Sequence, residues 1–492
     1  MELSILGYLH NKTILITGAT GFLGMVLVEK ILRVQPNVKR LYLLLRAPDA
    51  KSATYRMNNE ILGKELFKVL RETRGEDFDS FVSQKVIALP GDIGFENLGM
   101  KDVVLMENMC NEIQIIVNSA ANTKFDERYD ISLSINTFGV LHMLSFANKC
   151  LKLEMLLHVS TAYVCDEKVG LILEDSTSMS KRVKKMPRFD FEVVEKSLVN
   201  EKLNELNTQD ASKEVITNTL KDLGIERAKL HGWPNPYVFT KAMGEVLLSH
   251  HSKNNLPFDI LRPPIISSTY SEPFPGWVQG YGTVDSVIAA YCKGKLTRLL
   301  IDPMTIGDMI PVDMVVNSII VAIVVNANKS SGIIYHVGSS LRNPIKFYDI
   351  LSFMFKYFTK FPWVNNDEKP IVVRKISTFK TMATFHMYMK IRHSLPLKGL
   401  KLVNKVSGQS FQDVYVKYNR KLRLAMRMAE LYRPYLLFKG IFDDNNTEEL
   451  RKITKEGYIE AKDFNFDPTC IDWEDYIMNT HIPGFLKHVL IK

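Results

Sequence analysis

Cysteine is scarce in this sequence, and an apolar stretch long enough to span a membrane is missing. The five cysteines among 492 residues are scattered without a CxxC pair, which predicts no disulfide framework and no zinc or other metal site, and indicates a reducing compartment. No apolar run reaches the roughly 18–20 residues that a bilayer-spanning helix needs. The nearest, MVVNSIIVAIVVNAN at 314–328, contains asparagines and is interpreted as a buried helix.

The sequence also lacks low-complexity tracts and a targeting segment. Its first apolar strand begins about a dozen residues from the start, which leaves no room for a secretory signal or a transit peptide. With 46% hydrophobic and 24% charged residues, the chain is typical of a globular protein, and its length predicts two domains. The net charge of +9 suits nucleic acid, a membrane surface or an anionic substrate, and composition does not choose among them.

A glycine-rich turn follows the first predicted strand, in the segment KTILITGATGFLGMVLVEKIL. Gly18 permits a tight turn, Gly21 lets the backbone approach a pyrophosphate, and Gly24 lets the following helix pack closely. The helix N-terminus offers free N–H groups and a partial positive charge to phosphates. The turn therefore predicts a dinucleotide site that includes the three glycines together with Thr17, Phe22 and Leu23.

Other strand ends fit the same site. The strand RLYLLLRA ends in Arg46, 22 residues after Gly24, where an acidic residue would bind the ribose of NAD; an arginine favours the 2′-phosphate of NADP, the alternative being a solvent-facing side chain. Asp92 and Ile93 end another strand beside the expected adenine, and Asn118 precedes small residues that leave room for the cofactor. Strands alternating with helices predict an α/β fold with a Rossmann-type doubly wound parallel sheet.

A tyrosine and a lysine four residues apart, Tyr237 and Lys241, lie on one face of a predicted helix. The nearby ammonium is expected to lower the pKa of the phenol, which would make Tyr237 a proton donor near neutral pH. The same spacing recurs at Tyr8/Lys12, Tyr291/Lys295, Tyr435/Lys439 and Tyr458/Lys462. Only Tyr237 follows a strand that ends in hydroxyls, Ser160 and Thr161, whereas Tyr435 and Tyr458 lie far outside the nucleotide half.

In its order of a glycine turn, hydroxyls at a strand end and a YxxxK pair, the sequence resembles the extended short-chain dehydrogenase/reductase superfamily. Further segments resemble one branch, the alcohol-forming fatty acyl-CoA reductases, and especially its plant members. They are FDERYD (125–130), INTFG (135–139), HVSTAYV (158–164), AKLHGWPNPYVFTKAMGE (228–245), SEPFPGW (271–277), IPVDMV (310–315), YHVGSS (335–340) and LYRPYLLFKGIFDDNNTEELR (431–451). The resemblance covers nearly the whole chain in order.

The resemblance implies reduction of a long-chain or very-long-chain acyl-CoA to a primary alcohol for lipid, wax or suberin synthesis, with two NADPH consumed and CoA released. It makes Tyr237 and Lys241 the catalytic pair, Lys241 also binding the nicotinamide ribose, with Thr161 or Ser160 as helper hydroxyl. Two positions depart from the pattern. Pro264 replaces a usual serine or threonine, and Cys165-Asp166 replaces a small residue and a glycine. Neither departure touches the catalytic pair.

The predicted organisation is a reductase domain over 1–365, with a charged helical insertion at about 166–230, and a smaller, mainly helical C-terminal domain over 366–492. The insertion is either a lid over the active site or a solvated decoration. Residues 371–429 contain thirteen lysines and arginines but only one acidic residue, Asp413, and aromatics and methionines are interleaved among them. Without a nucleic-acid motif, this composition favours an anionic membrane surface or the CoA phosphates, and hence peripheral attachment to the cytosolic face of the endoplasmic reticulum.

Three alternatives stay open at this point. A thioacyl-enzyme route would use Cys165, the cysteine nearest the site, although the sequence places no base beside it. A sugar-nucleotide epimerase or dehydratase would share the glycine turn and YxxxK, but not the insertion and the basic C-terminal domain. A nucleotide-sensing membrane scaffold would not need the catalytic residues.

Overall fold

A parallel β-sheet of short apolar strands organises the larger part of the molecule. The computed structural model describes residues 3–165, 169–175, 191–252, 256–329, 332–365 and 367–491. Within them, seven strands lie in the order β11-β7-β5-β4-β1-β2-β3. Their bounds are β1 Thr13–Thr17, β2 Arg40–Leu45, β3 Val86–Pro90, β4 Ile115–Asn118, β5 Met155–Val159, β7 Phe258–Arg262 and β11 Ile334–His336.

The chain runs outward from β1 through β2 to β3, and then returns to place β4 on the other side of β1. This reversal makes the carboxyl ends of β1 and β4 a topological switch point, where open α/β sheets bind their ligands. Thr17 pairs with Leu44 on one side and with Asn118 on the other. The predicted Rossmann-type, doubly wound sheet is confirmed.

Helices cover both faces of the sheet because its strands are apolar on both sides. They are Ile5–Leu9, Phe22–Val34, Ala50–Arg56, Lys68–Arg74, Phe78–Lys85, Val103–Glu112, Tyr129–Leu133, Gly139–Ala147, Pro236–His251, Thr283–Cys292, Val312–Asn326 and Phe347–Lys360. Every residue of Val312–Asn326 is buried, so the apolar run near 314–328 is a core helix as expected. In the part of the chain that the structure describes, no helix combines the length and apolarity needed to cross a bilayer.

The predicted insertion contains two long helices, Phe191–Thr208 and Lys213–Leu230. The second packs on the start of helix Pro236–His251, where a Cβ at Gly224 would lie 3.0 Å from the Pro236 side chain. Residues 166–168 and 176–190 are outside the described part of the chain, and Asp166 is among them. The helical insertion docks on helix Pro236–His251, and its role as a lid stays a prediction.

The C-terminal region is mainly helical, as expected, and returns to the sheet domain. Its helices are Met382–Met389, Leu395–Val406, Gln412–Leu436, Asn445–Gly457, Trp473–Asp475 and Ile482–Phe485. Phe464, Phe466 and Phe485 are buried in the core of the sheet domain. Short parallel pairs add further connections, with β6 (Gly170–Ile172) on β13 (Gly440–Phe442), β8 (Ile265–Ser267) on β10 (Met309–Pro311) and β9 (Arg298–Leu300) on β12 (Ser377–Phe379).

Candidate active site

A cleft of about 660 Å³ opens at the carboxyl ends of the sheet, at the switch point. Its lining brings together residues that are far apart in the chain and that the sequence predicts for cofactor binding and catalysis. They are Thr17, Gly18, Gly21, Phe22, Leu23, Gly24, Arg46, Asp92, Ile93, Ser160, Thr161, Tyr237 and Lys241. Their roles stay predictions, but their common location agrees with a single site.

The glycine turn is packed too tightly for side chains. Gly18 has a φ of +73°, and a Cβ there would lie 2.8 Å from the backbone nitrogen of Ala120. A Cβ at Gly24 would lie 2.5 Å from the carbonyl oxygen of Gly18. Gly21 is the N-cap of helix Phe22–Val34, whose first N–H groups face the cleft and provide the partial positive charge expected for phosphate binding.

Two cations line the end of the cleft beside β2. The sequence predicts Arg46 but does not indicate Arg56. Arg46 is exposed at the end of β2 and lines the cleft. Arg56 lies beside it, donating to the Arg46 carbonyl oxygen at 2.7 Å while it also pairs with Glu60. Arg56 belongs to the next helix and has no motif of its own, so only the fold reveals it.

Asn118 is the one predicted site residue that does not line the cleft. Its side chain is buried, accepting a hydrogen bond from the Thr17 hydroxyl at 2.8 Å and contacting His158 Nδ1 at 3.2 Å. The next two residues, Ser119 and Ala120, border the cleft. Contact of Asn118 with the cofactor stays a prediction, and in the structure its amide connects the ends of β1, β4 and β5.

The helix Pro236–His251 positions the tyrosine–lysine pair. Asn235 is its N-cap, accepting from Val238 N at 3.2 Å, and Pro236 occupies the first helical position, a favourable start for a helix. Thr161 lies close enough to the Tyr237 phenol to lower its pKa. Lys241 is 1% exposed, and its Nζ donates to the Val159 carbonyl oxygen at 2.7 Å.

Burial dominates the electrostatics of this pair. It raises the pKa of Tyr237 to about 12, which the nearby Thr161 side chain opposes. It lowers the pKa of Lys241 to about 8, which the charge of Glu245 opposes. The expectation that Lys241 lowers the pKa of Tyr237 is therefore not met, because desolvation disfavours the phenolate. The phenol keeps its proton at neutral pH, as a proton donor requires.

The two hydroxyls at the end of β5 differ in their contacts. Both line the cleft, but only Thr161 lies close enough to the Tyr237 phenol to lower its pKa. The Ser160 Oγ is buried and has no hydrogen-bond partner among the described residues. This geometry favours Thr161 as the helper hydroxyl and leaves Ser160 free to bind a ligand.

Comparison with known proteins agrees with this geometry. Two family models, both described as "Male sterility protein", match residues 16–319 and 392–492. The chain is 53% identical to fatty acyl-CoA reductase 1 of Arabidopsis thaliana, over 100% of both chains. It is 52% identical to the alcohol-forming fatty acyl-CoA reductase of Simmondsia chinensis, over 99% of both chains. The chain belongs to the fatty acyl-CoA reductase family.

Solved structures resemble this fatty acyl-CoA reductase family member in fold. The reductase (R) domain of a nonribosomal peptide synthetase from Mycobacterium tuberculosis superposes with a TM-score of 0.58 at 18% identity, covering 98% of this chain and 92% of its own. The terminal R domain of the myxalamid pathway gives 0.57 at 16% identity, covering 97% and 91%. Family membership favours the reductase over the epimerase and scaffold alternatives.

The structure also bears on the thioacyl-enzyme alternative for this family member. Cys165 is buried in a small apolar cluster with Ala162, Ile172 and Phe442. It is absent from the lining of the cleft. A thiol packed between the insertion and β13 is poorly placed to attack a thioester in the cleft, which favours direct reduction. Of the departures within the described residues, Pro264 lines the site and Cys165 does not.

Of the other four tyrosine–lysine pairs with the same spacing, one places its tyrosine beside the candidate active site. Tyr435, expected to lie apart, comes within 4.8 Å of Phe125 between ring centroids, and Phe125 stacks on Tyr237. Its partner Lys439 is exposed, so the pair as such does not act there. The other three pairs lie away from the cleft lining, at Tyr8, Tyr291 and Tyr458.

Proposed function

We propose that this protein reduces long-chain fatty acyl-CoA to a primary alcohol with two NADPH, releasing CoA. The observation that carries the proposal is the placement of Tyr237, Thr161 and Lys241 in the same cleft as the glycine turn. Relatives more than 50% identical over the full chain are named fatty acyl-CoA reductases. The alcohols would serve wax, suberin or other lipid synthesis.

The residues present fit a dinucleotide cofactor. The left-handed backbone at Gly18 and the absence of side chains at Gly21 and Gly24 leave room against the helix N-terminus for a pyrophosphate. Arg46 and Arg56 at the far end of the cleft supply positive charge for a 2′-phosphate, which supports NADPH over NADH. When bound, NADPH supplies hydride for the carbonyl carbon.

The side chains of the cleft control the proton and the oxyanion. Tyr237 donates a hydrogen bond and then its proton to the carbonyl oxygen, since its pKa of about 12 keeps the phenol protonated until charge develops. Thr161 lines the cleft near the same phenol and can supply a second hydrogen bond to the carbonyl oxygen. Lys241, while protonated, stabilises the tyrosinate that forms and binds the nicotinamide ribose.

The same residues serve both reductions. Reduction of the thioester gives a hemithioacetal, and cleavage of its C–S bond expels CoA and leaves an aldehyde. Reduction of that aldehyde places charge on the same oxygen, so no new catalytic group is required. In balance, one acyl-CoA, two NADPH and two protons give one alcohol, one CoA and two NADP⁺.

The basic segment, residues 371–429, supports attachment to an anionic membrane surface. Lys390, Arg392, Lys398 and Lys401 are all exposed. Large apolar side chains are exposed among them, including Ile391, Leu395, Leu402, Val403 and Val406. Exposed apolar groups interleaved with cations suit a lipid interface, where the acyl chain of the substrate also partitions. We therefore propose peripheral attachment at the cytosolic face of the endoplasmic reticulum.

Product analysis with purified protein tests the activity directly. The protein is incubated with NADPH or NADH and acyl-CoA of increasing chain length, and alcohol, aldehyde and CoA are quantified. The proposal predicts two NADPH oxidised for each alcohol and each CoA released, with little free aldehyde. Aldehyde accumulating at one NADPH per CoA would contradict the two-step reaction, and turnover of nucleotide sugars instead would restore the epimerase alternative.

A further inference from the structure

A long helix of the C-terminal region, Gln412–Leu436, reaches the active site from outside the nucleotide half. Arg427, Leu431 and Tyr435 are spaced by four residues, so they share one face of this helix. Leu431 and Tyr435, near the end of the helix, are buried, whereas Val416 and Leu424, nearer its start, are exposed. The buried face therefore packs against the catalytic region.

An aromatic stack connects this face to the catalytic tyrosine. Phe125 stacks on Tyr237, with ring centroids 5.6 Å apart and planes inclined by 23°. It also stacks on Tyr435, at 4.8 Å and 21°, and contacts Tyr432 at 5.2 Å. Phe125 thus packs on the ring of Tyr237 and is itself packed against the C-terminal helix.

A hydrogen bond makes a second connection, through the cap of the catalytic helix. Asn235 is 0% exposed and its Nδ2 donates to the hydroxyl of Tyr435, 8% exposed, at 2.7 Å. Its Oδ1 accepts from Val238 N at 3.2 Å. With both bonds made, the amide has one satisfied orientation. Tyr435 therefore fixes the cap that begins the helix two residues before Tyr237.

An ion pair holds the loop that carries Phe125. Arg427 donates to Asp126, the next residue, at 2.6 Å, and to Asp222 of the insertion at 2.9 Å. Lys221 lies 3.6 Å from the same Asp126 carboxylate. The neighbouring residues Lys124 and Glu127 line the cleft, so the loop belongs to the site and the helix clamps it in place.

We propose that Tyr435 is a positioning residue for Tyr237, acting through the Asn235 cap and the Phe125 stack. This inference rests on the proposed function, because it assigns Tyr435 a part in the same reaction. Proton transfer depends steeply on the position of the donor, and a displacement of about 1 Å costs roughly 100-fold in rate. A cap without its hydrogen bond would release the first turn of the catalytic helix and with it the phenol.

Three variants in one assay test the inference. Tyr435→Phe keeps the ring stack and removes the acceptor for Asn235. Asn235→Asp keeps an N-cap oxygen and lets the Tyr435 hydroxyl donate to the new carboxylate. The double variant has no hydrogen bond between positions 235 and 435, although its carboxylate can still cap the helix. Tyr418→Phe, an exposed tyrosine on the same helix, is the matched control. The substrate is a short, soluble acyl-CoA, so that membrane binding does not enter.

We expect Tyr435→Phe to lower kcat by about 10-fold or more, with the KM for NADPH and for acyl-CoA within about twofold of the wild type. Asn235→Asp should lower kcat less than Tyr435→Phe does. The double variant should lower kcat at least as much as either single variant. Unchanged kcat in Tyr435→Phe overturns the inference, and so does a loss that parallels weaker NADPH binding and a lower Tm. If the wild-type chain itself fails to reduce acyl-CoA, the proposed function falls as well.

Discussion

Lysine has opposite environments in two regions of this molecule, the cleft and the basic segment. Lys241 is 1% exposed and donates to the Val159 carbonyl oxygen, and burial lowers its pKa to about 8. Lys398 and Lys401 are exposed. A buried lysine can change its charge near neutral pH, whereas an exposed one stays charged and is screened by salt. The first is suited to chemistry and the second to attraction of a surface.

Substitution of the cleft tyrosine is expected to have the largest effect. Tyr237→Phe should lower alcohol formation by roughly 10²–10⁴-fold, since general acid catalysis contributes about that much, while the protein stays folded. Tyr458→Phe, from a pair of the same spacing outside the cleft, is the control and should keep its turnover. Rates are measured as alcohol formed from a saturating acyl-CoA. Near-normal turnover in Tyr237→Phe would remove it from the mechanism.

The basic segment is tested by reversing its charges. Changing Lys390, Arg392, Lys398 and Lys401 to Glu should release the protein from anionic vesicles, because each surface cation contributes about 1 kcal/mol near such a membrane. Residual binding should depend less on salt. Turnover of a short, soluble acyl-CoA should persist, because these residues lie outside the cleft.

A control set with the same change in net charge isolates the location of the charges. Lys101, Lys152, Lys213 and Lys229 are exposed elsewhere, and their reversal to Glu should weaken vesicle binding far less. Unchanged vesicle binding in the first set, with a sharp rise in KM for every acyl-CoA, would assign the segment to the CoA phosphates instead.

Substitution of Arg46, an exposed cation of the cleft, tests the preference for NADPH over NADH. Arg46→Ala should weaken NADPH much more than NADH, by roughly 10–100-fold in KM, because a hydrogen bond to a charged group contributes about 1.5–3 kcal/mol. Arg56 lies beside it and will retain part of the preference. Equal losses with both cofactors would make Arg46 structural. The KM for each cofactor, at fixed acyl-CoA, is the measurement.

The pH dependence should follow Lys241. Its pKa of about 8 means that the ammonium predominates below pH 8 and is lost above it. If the charged form supports Tyr237, kcat should be halved near pH 8 and fall about tenfold for each further pH unit. Lys241→Arg should remove this alkaline limb, since arginine stays protonated. A wild-type profile flat to pH 10 would contradict the role of the ammonium.

Local patterns predicted much of the cleft and of the fold around it. The glycine turn, Arg46, Asp92 and the hydroxyls of Ser160 and Thr161 follow strand ends, and parallel strands bring such ends to one edge. The contacts of Asn118 with Thr17 and His158 could not be predicted, because the pattern gives the end of a strand but not the neighbours of its last side chain. The predicted direction of the Tyr237 pKa failed, because spacing reveals the lysine but not the extent of burial.

Contacts across the chain set the limit of sequence-based prediction. Tyr435 reaches the site through a helix whose spacing predicts an amphipathic face but not its partner. Phe125 lies in a loop with no periodic pattern, and Arg56 reaches the Arg46 carbonyl oxygen only because of how the chain turns between β2 and helix Ala50–Arg56. Each contact needs the tertiary structure, since no property of the residues alone specifies the neighbour.

The pairing of β6 with β13 has a consequence for how the protein is made. Gly170 pairs with Gly440, so about 270 residues separate the two strands along the chain. At 5–20 residues per second, the first strand waits roughly 15–55 s on the ribosome for its partner. Until then Ile172, and the cluster it shares with Cys165, has no cover from Phe442. We expect the nascent chain to need chaperones over this interval, and a fragment ending near residue 365 to keep the exposed strand permanently.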